Sequence, residues 1–464
     1  MTSLPRPLVA LAAVLALAVA GVTAAVLLDG GDRPGQGTAE ETAPPLGEIE
    51  SAWTAGVERG AFAEPVVVQA GEMLVVSTEQ GLFAYAKDCG AEGATCDPLW
   101  TGRISVPEPA PTVSGDVVFE ATERRLYAFD VRCGSGGATC EPLWTGEVPI
   151  EANSAFEPVT SEGVVKVNYS FGEGRQHEVH ALAFPTRCGS GEPCEPLWTA
   201  MAGKGTAYFP APAVGGSFFQ QVGTNLVGFR ARCGTGGAVC RPSFLWPIGG
   251  ETVAGMVEGK GELLVTSNQG SLYALPLECP ELPCRPLWRA ANDGYIATPP
   301  VVFSDTAFVS AGPNVHAYRL GCREDGGACA PEWTATVEDA ELLGVAHADR
   351  QVVIAVSLSG PGFIWAFPSK CVQPCRPLWT AATGGKLGRV EVVGGRVFVG
   401  THDGDLLLYP IGCAADGSEC SAARSWRVPG RISELFVDNS GIYVLSWGGE
   451  DRTWKQGTLT AFRE

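Results

Sequence analysis

The chain has 464 residues, of which 60 are glycine and 34 are proline, and its formal net charge is −19 at pH 7. Glycine and proline spread among β-branched and aromatic runs indicate many short strands joined by tight turns, and no stretch shows the pattern of a long amphipathic helix. The negative charge argues against nucleic acid as a partner, because a polyanion would be repelled.

The first 50 residues predict export. Residues 8–28 carry no charge and are long enough to cross a bilayer as a signal anchor, while the small residues at 18–20 also fit cleavage of a signal peptide. Residues 1–7 contain one basic residue and are expected to stay in the cytoplasm. Residues 29–50, rich in Gly, Pro, Thr and Glu, are expected to form a flexible linker. We therefore expect a single-pass protein of the cell membrane with an extracytoplasmic body, or a secreted protein if the segment is cleaved.

A motif of two cysteines and one tryptophan recurs eight times in residues 51–464, about every 46 residues. The first cysteine lies five residues after a strand position that is usually alanine, such as Ala128. The second is followed by tryptophan, as in Cys140 and Trp144; this spacing is four residues in six copies and six in two. Only the number of residues between the two cysteines varies freely, so the motif indicates two fixed strands joined by a variable loop.

Each repeat contains four short runs typical of strands, at residues 65–68, 73–76, 82–85 and 98–100 in the first. Four short strands at this period predict an all-β fold, a β-propeller of four-stranded blades. The repeats number nine, with eight blades as the alternative because propellers usually have four to eight.

The two ends of the array are complementary. The last repeat has strand runs at residues 442–445 and 459–462 but no tryptophan strand after them, whereas Trp53 at the start lies in a tryptophan strand without partners. Pairing the strand of Trp53 with the last unit would close the ring and remove the open sheet edge.

The strand Leu126-Tyr127-Ala128-Phe129-Asp130, followed at a set distance by a tryptophan strand, resembles the quinoprotein-like (PQQ-like) repeat. That family includes quinoprotein alcohol dehydrogenases and outer-membrane assembly lipoproteins of the BamB type. The resemblance covers about residues 51–464, although a cysteine loop replaces the usual Thr-Gly turn. It implies that the tryptophans pack between neighbouring blades, at Trp53, Trp100, Trp144, Trp198, Trp246, Trp288, Trp333, Trp379 and Trp426.

Sixteen cysteines in eight local pairs, in an exported chain, predict structural disulfides within the hairpin of the third and fourth strands of each blade. Metal binding is the alternative, but zinc needs four ligands at fixed geometry, whereas these spacers vary and the pairs belong to different blades. The pairs are Cys89 and Cys96, Cys133 and Cys140, Cys188 and Cys194, Cys233 and Cys240, Cys279 and Cys284, Cys322 and Cys329, Cys371 and Cys375, and Cys413 and Cys420.

We expect no catalytic, cofactor-binding or metal-binding residues. His180 and His316 lie in strands, and His402-Asp403-Gly404-Asp405 is typical of a tight hairpin turn, with a polar site as the alternative reading. Quinoprotein dehydrogenases carry a disulfide between adjacent cysteines over the cofactor, and this sequence has no two adjacent cysteines. We therefore expect neither pyrroloquinoline quinone (PQQ) nor calcium, and a PQQ-dependent dehydrogenase is the alternative function.

The sequence favours a non-catalytic binding, scaffold or sensor module of the cell envelope. Its expected partners are the membrane, through the N-terminal segment, and an envelope protein, a polysaccharide or a small ligand in the central channel. The least regular loops, residues 170–178 and 447–454, are the predicted places of contact, with Trp447 and Trp454 as contact residues. For the second loop a long turn is the favoured reading, and contact through its two tryptophans is the alternative.

Overall fold

The computed structural model describes residues 51–58, 64–90, 93–104, 111–122, 124–148, 154–155, 157–172, 177–189, 193–338, 340–448 and 456–463. The predictions for residues 1–50 lie outside this part of the chain. The regular elements of the described residues are β-strands, and none of these residues belongs to a helix that could cross a membrane.

The strands form nine antiparallel blades, numbered here in chain order and listed from the inner strand to the outer strand. Blade 1 contains Val66–Ala70, Met73–Thr78, Gly81–Ala86 and Trp100–Gly102; blade 2 Thr112–Ser114, Val117–Ala121, Arg125–Asp130 and Trp144–Glu147; blade 3 Val159–Ser161, Val164–Phe171, Glu178–Pro185 and Trp198–Lys204. Blade 4 contains Ala207–Val214, Ser217–Val222, Asn225–Arg230 and Phe244–Pro247; blade 5 Val253–Gly259, Glu262–Ser267, Ser271–Pro276 and Trp288–Ala291; blade 6 Val301–Phe303, Thr306–Ala311, Asn314–Arg319 and Trp333–Thr336. Blade 7 contains Leu343–Ala348, Val352–Ser357, Phe363–Pro368 and Trp379–Ala382; blade 8 Leu387–Val393, Arg396–Thr401, Asp405–Pro410 and Arg424–Arg427; blade 9 Arg431–Asp438, Gly441–Trp447, Gln456–Phe462 and Ser51–Glu58.

Five very short strands complete the sheets. Ser154–Ala155 pairs antiparallel with the second strand of blade 3. The other four lie in the cysteine loops and pair parallel with the outer strand of the preceding blade; they are Ala94–Thr95, Ala138–Cys140, Ala238–Val239 and Ser418–Glu419.

Blade 9 closes the ring. Its outer strand Ser51–Glu58 runs antiparallel to Gln456–Phe462, with Trp53 opposite Ala461 and Glu58 opposite Gln456. The predicted fold, nine blades and closure by the strand of Trp53 are thus confirmed, and the eight-blade alternative is wrong.

The hydrophobic core lies between blades, and the second strand of blade 1 contributes to two such interfaces. The strand Met73–Thr78 is buried along its whole length, because alternate side chains face the preceding and the following blade. Val75 and Leu82, for example, pack with Val118 and Phe129 of blade 2. Continuous apolar runs in the second strands, rather than strict alternation, follow from this double burial.

Serine or threonine builds several of the turns between second and third strands. The hydroxyl oxygen of Thr78 accepts a hydrogen bond from the backbone nitrogen of Gln80 at 3.1 Å, and that of Thr401 accepts one from Asp405 at 2.9 Å. Such side chain to backbone bonds fix the turn locally. His402 and Asp403 lie in the second of these turns, where Gly404 has a φ of 87°. The turn reading of this segment is therefore confirmed.

Candidate functional site

The interface between two adjacent blades, called a seam here, is organised by the outer-strand tryptophan. The indole nitrogen of Trp100 in blade 1 donates a hydrogen bond to the backbone oxygen of Val131 in blade 2 at 2.7 Å. The acceptor lies two residues before the first cysteine of the next blade, and four other seams carry the same bond: Trp53 to Lys87 at 2.9 Å, Trp198 to Ala231 at 2.8 Å, Trp333 to Ser369 at 3.1 Å and Trp379 to Ile411 at 2.8 Å.

Two seams vary this bond. Trp288 donates to a carboxylate oxygen of Glu262 at 3.2 Å, and the same oxygen accepts the backbone nitrogen of Gly321 in blade 6 at 3.2 Å, so the carboxylate relays the contact. The buried indole nitrogen of Trp144 has no hydrogen-bond acceptor within the described residues.

In blade 4 the tryptophan occupies a different register. Phe244, not Trp246, lies opposite the small residue Gly228, whereas Trp144 in blade 2 lies opposite Ala128. Trp246 is still buried in the seam with blade 5, with its ring centroid 4.7 Å from that of Tyr273. The spacing of six residues after the second cysteine was the sequence signal for this shift.

Blade 8 has the same shift with a different replacement. Arg424 lies opposite Leu408, and Trp426 lies two residues further along the strand, 6.0 Å from Phe462 of blade 9. Two guanidinium nitrogens of Arg424, Nε and Nη1, are buried and have no hydrogen-bond acceptor in the described part of the chain.

The eight predicted disulfides are confirmed. Each pair bridges the hairpin of its own blade, with Cα atoms 5.4 to 6.4 Å apart and the cysteines four to seven residues apart in sequence. All sixteen cysteines are thereby paired.

The cysteine loops have a second role that the sequence analysis missed. The backbone nitrogen of Cys96 in blade 1 donates to the backbone oxygen of Thr54, in the outer strand of blade 9, at 2.7 Å. The second cysteine makes this bond at five further seams: Cys194 to Thr145, Cys240 to Thr199, Cys284 to Leu245, Cys329 to Arg289 and Cys420 to Thr380, at 2.6 to 2.8 Å. We call this contact the latch. Its signal in the sequence is the nearly constant distance from the second cysteine to the tryptophan strand.

Two seams build the latch in another way. The outer strand of blade 1 pairs with Ala138–Cys140 of the blade 2 loop. The shortest loop, between Cys371 and Cys375, instead uses the side chain of Gln373, whose Nε2 donates to the backbone oxygen of Thr334 at 3.0 Å.

The alternative reading, in which Trp447 contacts a partner, is wrong. Trp447 is 1% exposed, and its indole nitrogen donates to the hydroxyl of Ser433 at 2.8 Å. It ends the second strand of blade 9, where the side chain packs over Gly457, a position at which a Cβ atom would come within 2.2 Å of the indole ring. Trp454 lies outside the described residues.

The insertion at residues 170–178 extends a hairpin, so its reading as an irregular loop is corrected for the described part. Residues 170 and 171 end the strand Val164–Phe171, and residue 178 begins Glu178–Pro185. Residues 173–176 lie outside the described chain. On this hairpin Glu178 accepts hydrogen bonds from Lys204 and pairs with His180 at 3.4 Å, which lowers the pKa of the Glu178 carboxyl.

The strand histidines have structural surroundings. The Nδ1 atom of His316 lies 3.0 Å from the hydroxyl of Thr334, and burial lowers the pKa of His316 to about 4. His180 packs edge-on against Phe171, with ring centroids 5.0 Å apart. Among the described residues, no three His, Cys, Asp or Glu side chains are grouped so as to hold a metal ion.

Charged groups cluster on the inner strands of blades 8 and 9. Arg389 makes a two-pronged ion pair with Glu434 of the next blade, with Nε to Oε2 at 3.2 Å and Nη2 to Oε1 at 2.9 Å. Burial raises the pKa of Glu434 against the opposing effect of Arg389. A planar guanidinium paired in this way is a rigid element.

Glu391 lies two residues further along the same inner strand and is the unsatisfied member of this cluster. Burial, opposed by Arg389 and reinforced by Glu434, raises its pKa to about 7. Within the described chain no hydrogen bond or ion pair reaches its carboxyl, which remains partly open to solvent. Because the inner strands of a propeller surround its central channel, Glu391 is placed to receive a cationic or hydrogen-bond-donating ligand there.

Further charges surround this cluster. Arg431 lies 3.9 Å from Glu64, and burial together with Arg431 and Lys386 lowers the pKa of His402 to about 4. His402 is thus neutral at physiological pH. The cluster contains both signs of charge at the junction of blades 8, 9 and 1, which suits recognition of a charged surface.

A second polar group lies in the seam of blades 3 and 4. Lys166 is 1% exposed; its Nζ lies 3.5 Å from the backbone oxygen of Phe219 and 5.6 Å from the ring centroid of Phe218. Burial lowers the pKa of Lys166 to about 7. Nearby, Asn168 donates to Gln220 at 2.5 Å. This group is closed to solvent and is a feature of the core rather than a ligand site.

The cysteines do not fit a quinoprotein cofactor site of the dehydrogenase type. That site carries a disulfide between adjacent cysteines over the quinone, whereas every cysteine of this chain is engaged in a bridge within its own hairpin.

No protein-family model matches the chain, and no curated protein matches it. Among solved structures, it is similar to the C-terminal WD40 domain of Sif2, at 10% identity over 75% of this chain and 93% of that one, with a TM-score of 0.51. It is also similar to BamB from Moraxella catarrhalis, at 14% identity over 76% of this chain and 96% of that one, with a TM-score of 0.48. A europium-containing methanol dehydrogenase aligns at 12% identity over 90% and 93% of the two chains, with a TM-score of 0.48. At 10% identity, the similarity to the WD40 domain of Sif2 supports the β-propeller fold alone.

Proposed function

We propose that this chain is a non-catalytic binding or scaffold module of the cell envelope, which holds an envelope protein through the inner-strand cluster of blades 8 and 9. The observation that carries the proposal is Glu391, a half-buried carboxyl without a partner in the described residues beside the rigid pair of Arg389 and Glu434. A lysine or arginine of the partner would complete this cluster. The latched seams support such a role, because a rigid ring presents its inner surface without rearrangement.

The proposal includes location and family. Residues 8–28 would hold the protein at the membrane with the propeller outside the cytoplasm, as their uncharged length favours. The eight disulfides agree with an oxidising compartment. The Leu-Tyr-Ala-Phe-Asp strand and the tryptophan strand that follows it support membership of the quinoprotein-like repeat family.

The binding site is tested by cross-linking in native membranes, with mass spectrometric identification of what is retained by the full chain and by Glu391→Gln. We expect the variant to lose a defined protein partner. Glu147→Gln is the matched control, because Glu147 forms an exposed ion pair with Arg125 on an outer strand. Equal retention by all three proteins would overturn the assignment of the site, and retention of a polysaccharide in place of a protein would overturn the partner class.

Titration of the isolated complex gives an independent test. The pKa of Glu391 is raised to about 7, so its carboxyl is largely protonated at pH 6 and ionised at pH 8. A cationic partner should therefore bind more tightly at pH 8, and this difference should disappear in Glu391→Gln.

The absence of catalysis is tested with PQQ and calcium. Addition of both to the purified chain, followed by a dye-linked assay with alcohols and sugars, should give no turnover above a sample without protein. Turnover would refute the binding-module proposal in favour of a PQQ-dependent dehydrogenase.

A further inference from the structure

The latches follow one register. The pairs are Ala94 with Trp53, Ala138 with Trp100, Ala238 with Trp198, and Ser418 with Trp379. In each of these pairs, a residue of the cysteine loop lies opposite the outer-strand tryptophan of the preceding blade. The loop residue lies six positions before the first outer-strand residue of its own blade, which is usually tryptophan and is called the tryptophan position. Ala238 and Ser418 obey the rule when counted from Phe244 and Arg424, which confirms that these two residues occupy the tryptophan position.

The seam between blades 8 and 9 lacks a latch among the described residues. Among the described residues, the outer strand Arg424–Arg427 is the last strand of its sheet. Ser425 is exposed, whereas the threonines that follow the tryptophan at other seams, Thr54, Thr145 and Thr199, are half-buried; the longer side chain of Arg289 is exposed at a latched seam. An uncovered strand edge offers free backbone groups for pairing.

A second observation at this seam also indicates a missing partner. The buried Nε and Nη1 atoms of Arg424 have no acceptor in the described part of the chain. Buried donors of this kind are costly unless they are satisfied. Acceptors from outside the described residues would satisfy these two donors.

We propose that residues 45–50 of this same chain dock on the edge of blade 8 as a ninth latch, which has no disulfide. Counting six residues back from Trp53 places Gly47 opposite Arg424, and the next two residues, Glu48 and Ile49, opposite Ser425 and Trp426. The chain reaches this position directly, because residue 51 begins the outer strand of blade 9.

The side-chain pattern of the segment supports this register. Gly47 falls at a position that is a small residue in other loops, namely Ala94, Ala138 and Ala238. Glu50 falls at a position that is acidic and exposed in other loops, namely Asp97, Glu141 and Glu195. Ile49 takes the place of the second cysteine, which is buried in Cys96, Cys140 and Cys194. An apolar residue therefore replaces the half-cystine where burial is required.

Amide hydrogen exchange of the full chain tests the proposal. In the blade 5 latch the backbone nitrogen of Arg289 donates to Gly327 at 3.1 Å, and by the same register the nitrogen of Ser425 would donate to Gly47. We expect the Ser425 amide of the unaltered chain to exchange at least about ten times more slowly than the same amide in Ile49→Pro. The proline removes a backbone donor and distorts the segment. Glu48→Gln, a substitution at an exposed position of the latch, should behave as the unaltered chain.

The amides of Trp100–Gly102 report whether each variant remains folded. Fast exchange of Ser425 in all three proteins would refute the docking. Slow exchange that persists in Ile49→Pro would also refute it, because a different segment, a second copy or another protein would then cover the edge.

Discussion

The indole nitrogen of Trp53 donates a hydrogen bond to the backbone oxygen of Lys87 at 2.9 Å, and this bond joins the first strand of the described chain to blade 1. Inside the ring, Trp100 makes the equivalent bond to Val131 at 2.7 Å. The seam that closes the ring thus has the same construction as an interior seam. An ion pair between Lys87 and Asp438 of blade 9 strengthens it further.

Trp53→Phe should therefore cost as much stability as Trp100→Phe. Each change removes one buried hydrogen bond, worth about 1 kcal/mol, and part of a fully buried side chain. Chemical denaturation monitored by circular dichroism measures both. A neutral Trp53→Phe beside a destabilising Trp100→Phe would show that the closing seam is not formed in solution.

The disulfides should stabilise each hairpin separately. Replacement of Cys133 and Cys140 together by serine should lower the free energy of unfolding by about 2.5 kcal/mol, from the entropy of a closed loop of about eight residues. The other seven bridges should persist, since each is confined to its own blade. Mass spectrometry of non-reduced digests checks the pairing; links between blades or free thiols in the unaltered chain would contradict it.

Lys166 should make stability depend on pH. Burial lowers its pKa from 10.5 to about 7 in the folded chain, so the unfolded chain binds the proton more tightly. Stability should therefore fall as the pH drops from about 10.5 towards 7, and the loss should be complete below about 7.

Lys166→Met removes this penalty and should be more stable near pH 6 by up to several kcal/mol, because one unit of pKa is worth about 1.4 kcal/mol. The advantage should shrink above pH 10. Urea unfolding of both proteins from pH 6 to pH 10 checks this, and parallel stability curves would contradict the burial of a neutral amine.

Gly457 should be needed to make room for Trp447. A Cβ atom at Gly457 would lie 2.2 Å from the indole ring, so Gly457→Ala should be destabilising by about 1–3 kcal/mol through overpacking. In the Trp447→Leu background the same change should cost much less. Equal costs in the two backgrounds, measured by thermal or chemical unfolding, would place Trp447 away from Gly457 in solution.

The sequence was sufficient for the fold because each repeat carries the same local signals. Thr78 and Thr401 mark equivalent turns, and the cysteine and tryptophan spacings mark the third and fourth strands. The strand of Trp53 indicated closure because a tryptophan strand without its own blade has only one place in a ring.

The side-chain environments were harder to predict. Trp447 follows an apolar run and precedes a glycine-rich segment, so the sequence alone does not distinguish the last buried strand residue from the first exposed loop residue. The charged cluster was also missed, since Arg389 and Glu434 are 45 residues apart in sequence and meet only when blades 8 and 9 become neighbours.

The latch was missed because it is made by backbone atoms. The bond from Cys96 to Thr54 leaves no residue-type signature at its acceptor. The equivalent acceptor in blade 4 is Leu245, and in blade 5 it is Arg289. Only the constant spacing to the tryptophan strand reflects the contact.

The most direct test of the closed nine-bladed ring is cleavage of the chain between Glu58 and Glu64 at an inserted protease site, followed by native size-exclusion chromatography. The fragment that ends with the strand Ser51–Glu58 contains no cysteine, so no covalent bond can hold it to the remaining chain. The closed ring predicts that this fragment co-elutes with the propeller and is released only on denaturation. Release of the fragment from a remainder that stays folded under native conditions would contradict the closure of the ring.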